Sequence, residues 1–438
     1  MQAYFYDLID ALTGSLTGEE ILLTSLDAEQ SDFVRLNRNR VRQAGNVLRR
    51  SLSLDLIEGA RHAAARIELT GEPEADLARL RSLLLELRSQ RAHLPEDPHL
   101  DYATEVHSTE HHHRNTLPAP AEALDQVIDA AEGLDLVGIW ASGVMHSGFA
   151  NSLGQRNWHS SATFNLDWSC YHAEDKAVKS GYAGFDWKPE RLLGKMREAR
   201  EGLEIMARAP VTLEPGRYRA YLAPAALQEI LGMMAWGGFG LKSHRTGQSP
   251  LLKMISEGRR LSPAVSLAED HDRGLAPRFT SSGYIKPERV TLIEQGVYRD
   301  CLVDPRSARE YGASVNAESE SPVALEMAAG DLERDRVLAE LDTGLYLNNL
   351  WYLNFSDRSD CRITGMTRFA CLWVEDGEVR APVNVMRFDD SVLELLGERL
   401  LGLTAERELI FDASTYGRRS DHSVQLPGAL VDGLTLTL

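Results

Sequence analysis

Phe369-Ala-Cys-Leu-Trp-Val-Glu-Asp-Gly-Glu-Val-Arg-Ala-Pro-Val383 decides the fold class. Two β-rich runs flank Glu375-Asp-Gly, and Asp-Gly between such runs is a strong hairpin signal. Arg289-Val-Thr-Leu-Ile and Gly296-Val-Tyr-Arg-Asp-Cys-Leu read as a second hairpin across Glu294-Gln-Gly. The unit from about 214 to 438 is therefore predicted to be larger and mostly antiparallel β. It opens with a strand, Gly216-Arg-Tyr-Arg-Ala-Tyr-Leu, then Pro224 and an apolar helix from Ala225 to Trp236.

Working outward, residues 121–213 read as a central domain. It has a helix from Ala121 to Ala131, strands around Leu136–Ala141 and His159–Trp168, and a helix from Trp187 to about Arg208. Residues 1–100 read as an N-terminal α+β domain. Apolar residues fall at helical spacing in Met1–Leu16 and alternate around Phe33–Asn39, Leu52–Ile57 and Arg66–Thr70. Asp76–His93 carries Leu77, Leu80, Leu84 and Leu87 on one helical face. Between them, 101–120 reads as a Pro-bounded polar linker. The class is α+β: an N-terminal α/β region with antiparallel strands and flanking helices, then the β-rich domain.

The chain has 438 residues and a net charge of −18, which opposes phosphate backbones and anionic lipid. Neither nucleic-acid nor membrane binding is expected. The twelve-residue apolar run Ile230–Leu241 is too short for a bilayer, which takes about 20 residues. Four scattered cysteines and an acidic, non-basic start (Asp7) fit a cytoplasmic protein without a signal peptide.

Familiar catalytic motifs are absent. Gly238-Phe-Gly-Leu-Lys-Ser lacks P-loop spacing, and neither G-x-G-x-x-G nor G-x-S-x-G occurs. Among thirteen histidines, His111, His112 and His113 are consecutive, so alternate side chains diverge, and with His107 they read as a solvated linker. Asp270-His271-Asp272 reads as a loop cluster, and His146 and His159 as cross-strand packing. Histidines at 146, 159, 172, 244 and 271 are the internal candidates for a stand-alone metal-dependent hydrolase, one alternative reading. In the helix Ala226–Phe239, a zinc hydrolase would place paired histidines and a glutamate; Gln228, Glu229 and Met233 hold those places.

Phe33-Val-Arg-Leu-Asn-Arg-Asn-Arg-Val-Arg-Gln-Ala, Gly344-Leu-Tyr-Leu-Asn-Asn-Leu and Phe369–Val383, in this order, resemble the TldD/PmbA family, in which PmbA is also called TldE. The resemblance implies a metallopeptidase-related chain. TldD-type subunits carry H-E-x-x-x-H and a later cysteine as a zinc site; PmbA-type subunits lack it and pair with TldD to process unfolded peptides. On that pattern Gln228 and Met233 stand at the histidines and Glu229 at the glutamate. Tyr416-Gly-Arg-Arg-Ser-Asp-His-Ser-Val stands at the cysteine segment without a cysteine. Amide and thioether are poor zinc ligands, and without zinc a water keeps a pKa of about 15.7 rather than about 7. The resemblance thus implies a subunit inactive by itself, with no metal or cofactor of its own and zinc only in a TldD-like metallopeptidase partner. It would hold unfolded peptide by strand addition to a sheet edge. Arg38, Arg40 and Arg42 are expected on the polar face of one strand. A homodimeric peptide-binding protein is the other alternative.

Overall fold

The computed structural model describes residues 1–173 and 176–437. Its class is α+β, as the sequence predicts. Helix α1 (Gln2–Thr13) precedes strands β1 (Ile21–Asn37), β2 (Arg40–Glu58) and β3 (Arg61–Glu68), then helix α2 (Pro73–Arg91). Strand β4 (Thr109–His112) and helix α3 (Pro120–Ala130) lead to β5 (Asp135–Asn151), β6 (Arg156–Ala173), β7 (Lys176–Gly184) and helix α4 (Pro189–Met206). The first sheet runs β3-β2-β1-β5-β6, with β4 and β7 end to end along the outer side of β6. Pairing is antiparallel except between β4 and β6. Since β1 pairs with β5 from Leu23↔Asn151 to Leu36↔Gly138, stretches 1–100 and 121–213 share one sheet, and the polar stretch between them contributes a strand to it.

The β1–β2 turn falls on Arg38 and Asn39, both left-handed at φ 52°. This is the backbone of a type I′ hairpin, and asparagine tolerates it better than most residues. Arg38 is therefore in the turn, not on a strand face with Arg40 and Arg42 as expected; the polar run reverses direction there. Gly143, in β5, has φ 146°, and a Cβ there would lie 2.1 Å from the Gln30 carbonyl oxygen of β1. Only glycine lets the two backbones come this close.

Strand β8 (Gly216–Leu222) and helix α5 (Pro224–Ala235) open the second half. Pro224 occupies the first turn of α5, where its missing N–H costs nothing. The sheet is built from β9 (Leu267–Asp270), β10 (Arg289–Glu294), β11 (Val297–Tyr298), β12 (Ala324–Met327), β13 (Gly344–Asp357), β14 (Arg362–Glu375), β15 (Glu378–Pro382), β16 (Arg387–Ser391), β17 (Leu400–Phe411) and β18 (Ser423–Leu436). Most pairs are antiparallel; β12–β18 and β13–β8 are parallel. Strands β18, β16, β14, β13 and β8 close on themselves through β8–β18 pairing. Helix α5 packs Leu227, Ile230, Leu231 and Met234 into the core that this sheet encloses. Each such side chain contributes about 1.5–3 kcal/mol by leaving water. The predicted Asp-Gly turn joins β14 to β15, with Asp376 at φ 54° and Gly377 at φ 73°. The other predicted hairpin is shorter than its sequence pattern, since β11 keeps only two residues. The four cysteines are unpaired thiols. No helix among the described residues is long and apolar enough to cross a membrane.

Candidate functional site

The loop from Asp412 to His422, between β17 and β18, lies on one face of the first sheet. Arg419 is its anchor. Only 4% exposed, it donates to the carbonyls of Gly143 at 3.2 Å and Thr163 at 3.1 Å, and to the Thr163 hydroxyl. Its own N–H donates to Glu29 Oε2 at 3.2 Å. Burial pulls the guanidinium down to about 10, with the Glu29 carboxylate opposing. Nearby, Arg49 Nη1 of β2 donates to the Gly417 carbonyl at 2.6 Å. A groove of about 330 Å³ runs between this loop and the β1–β2 hairpin, lined by Phe33, Gln43, Val47, Thr415 and Gly417 among others. Tyr416, between the lining residues Thr415 and Gly417, is 99% exposed.

Beside the groove, β2 has an open edge. Strand β3 covers it only from Ser51 to Glu58, with Leu69 N–H donating to the Arg50 carbonyl at 2.7 Å. From Arg40 to Arg49 the outer side of β2 carries no strand among the described residues. Backbone groups alternate along a strand. Because the Arg50 carbonyl points outward, the N–H groups of Leu48, Asn46 and Ala44 point outward as well.

The positions that resemble degenerate zinc ligands do not converge. Met233 is buried in the core under the second sheet, Gln228 is half-buried, and Glu229 is exposed. Although Glu229 is exposed overall, nearby protein partly desolvates its carboxyl and raises its pKa, against the pull of the Lys179 ammonium. Lys179 in turn lies 3.7 Å from Asp167 on β6. An amide and a core thioether offer zinc no pair of imidazoles, and these residues do not fit the ion.

The internal histidines are not gathered in one place either. His146 stacks on Trp158, with ring centres 5.3 Å apart. His244 contacts the Gly238 carbonyl at 2.7 Å and the Tyr298 hydroxyl at 3.1 Å. His172 is exposed at the end of β6. His271 follows β9 beside the Pro287 carbonyl at 2.9 Å, and burial lowers its pKa to about 4. Asp270 ends the strand, and His271 and Asp272 lie in the turn that follows, as the loop reading expects, but Asp270 and His271 are buried rather than solvated.

His159 does acquire histidine neighbours. Strand β4 sets His111 opposite it, and His111, His113 and His159 have ligand nitrogens within 4.8 Å of one another. The expected divergence of the tract applies only to His112, which turns out to Ser160 and Glu110. Burial lowers the pKa of His113, and takes His159 to about 3.

With this geometry in place, comparison with known proteins decides the family. Residues 215–438, just over half of the chain, match the PmbA/TldA metallopeptidase C-terminal domain. The chain belongs to the PmbA/TldD metallopeptidase family. A similar curated relative is the Metalloprotease PmbA of Escherichia coli O157:H7, 25% identical over 247 residues, or 54% of this chain and 52% of the relative. The match therefore spans about half the length of that relative. The crystal structure of TldE from Thermococcus kodakarensis is 15% identical, with a TM-score of 0.77 over 99% of this chain and 100% of that one. This PmbA/TldD-family chain shares the TldE fold through both of its sheets.

Proposed function

We propose that this chain is a cytoplasmic, PmbA/TldE-like subunit, inactive alone, that pairs with a TldD-like zinc peptidase and presents unfolded peptide to it. The observation that carries the reading is Met233. Where the zinc-bearing pattern has a histidine, this chain has a thioether sunk in the core, and Gln228 offers only an amide. Glu229 without a metal cannot make hydroxide at neutral pH, because an unbound water has a pKa of about 15.7.

The peptide-holding part is supported by the open Arg40–Arg49 edge of β2 and the adjoining groove. An extended peptide adds to such an edge through main-chain hydrogen bonds, and neighbouring pockets take alternate side chains. Arginines along the edge discourage pairing between copies.

The test is to mix the purified chain with its cognate H-E-x-x-x-H subunit and assay an unfolded peptide. The expected outcome is a stable complex that cleaves, with no cleavage by this chain alone. A chain that turns over peptide unaided, or that does not associate with the zinc subunit, ends this reading.

A further inference from the structure

Strand β4 brings a second, unrelated set of donors together. His111 lies in β4 in register with His159, and His113, one residue past the end of β4, continues along β6 through its N–H to the Ser160 carbonyl at 3.0 Å. Their ring centres are 4.5 Å (111–113), 5.4 Å (111–159) and 5.2 Å (113–159) apart. Three imidazoles on one tetrahedral ion, with metal–nitrogen bonds of about 2.0–2.1 Å, place their ring centres about 5 Å apart. The rings are already at that spacing, and their ligand nitrogens lie within 4.8 Å of one another.

The remaining nitrogens support the same arrangement. Histidine ligands almost always give their other ring nitrogen to a carbonyl or carboxylate, which fixes the tautomer. His159, 4% exposed, places Nε2 3.0 Å from the Leu275 carbonyl, leaving Nδ1 as a donor to an ion. The preceding carbonyl, Gly274, acts on His113, whose Nε2 is buried without a hydrogen-bond partner. A buried polar atom left unpaired calls for an explanation, and a missing ion is one. No carboxylate belongs to the trio, and an all-imidazole set suits zinc, copper, nickel or cobalt rather than magnesium or calcium.

We propose that His111, His113 and His159 bind one divalent transition-metal ion of the zinc class, with a fourth position left for water. The ion ties β4 to β6 beneath the Gly274–Leu275 turn, where the two halves of the molecule meet. This site is separate from the 228–233 positions and holds whether or not the chain is an inactive subunit.

The test uses the full chain purified without a polyhistidine tag, stripped with chelator and titrated with Co²⁺ at neutral pH. One equivalent should bind with the intense visible absorption of a low-coordinate cobalt site and be displaced by Zn²⁺. His111→Ala, at a half-exposed residue, should weaken binding by more than about tenfold while leaving the circular dichroism unchanged. His159→Ala should abolish the absorption. His112→Ala, one residue away on the opposite face, should bind as wild type. No cobalt absorption, binding undiminished in His111→Ala, or equal loss in His112→Ala overturns the proposal; the last marks adventitious binding by the tract.

Discussion

Arg419 donates to the Thr163 carbonyl at 3.1 Å, so one buried guanidinium from the β17–β18 loop reaches the middle of the first sheet. Its other donors go to neutral oxygens. Truncation would leave buried acceptors unpaired, at about 1–3 kcal/mol each. Arg419→Ala should therefore lower stability by about 2–4 kcal/mol in chemical denaturation. Arg419→Lys should recover only part, because an ammonium cannot reproduce the fork. Wild-type stability in the alanine variant would mean that this contact does not hold the loop down.

The open edge of β2 can be blocked without touching its inner ladder. Ala44→Pro removes an outward N–H at an edge position where proline is tolerated. The melting temperature should stay near wild type. Affinity for a labelled unfolded peptide, followed by fluorescence anisotropy, should fall about tenfold, the loss of one well-made hydrogen bond. Unchanged affinity would place the peptide elsewhere.

Acid should loosen the N-terminal unit through Glu20. This carboxylate accepts from Arg88 Nε and Nη2 at 2.7 Å each and lies 3.1 Å from Arg91 Nη1. The hydrogen bonds from Arg88 are the largest cause holding it at about 2, against an ordinary 4.5. A depressed carboxyl contributes stability that is complete above about pH 4.5 and is lost as pH falls toward about 2. Glu20→Gln should melt below wild type at pH 6, and the gap should narrow as pH drops to 3. A gap independent of pH would refute this linkage.

At Gly143 the close approach of β1 and β5 leaves no room for a methyl group. Gly143→Ala should cost more than about 2 kcal/mol, because the nearest atom is backbone and cannot swing away. A melting curve matching wild type would show that the strands can separate locally at no cost.

Local chemistry wrote much of this fold plainly. Glu375-Asp-Gly makes its hairpin, and Leu80, Leu84 and Leu87 bury one face of α2. What could not be read was set by partners distant in the chain. The tract at 109–113 looks like solvated linker because its strand character comes from pairing with β6, nearly fifty residues away. The polar Arg38-Asn39 turn lacks the glycine that usually announces a hairpin, so one long β-ribbon reads as separate strands. The apolar run after Pro224 brought out α5, but which of Gln228, Glu229 and Met233 is buried depends on which side the core takes.

Ten residues of uncovered β2 amount to a ledge about 30 Å long. A guest lying along it would be read by its main chain, which all sequences share. On the proposed function, such a ledge would sort polypeptides by whether they have lost their shape, largely regardless of what they spell.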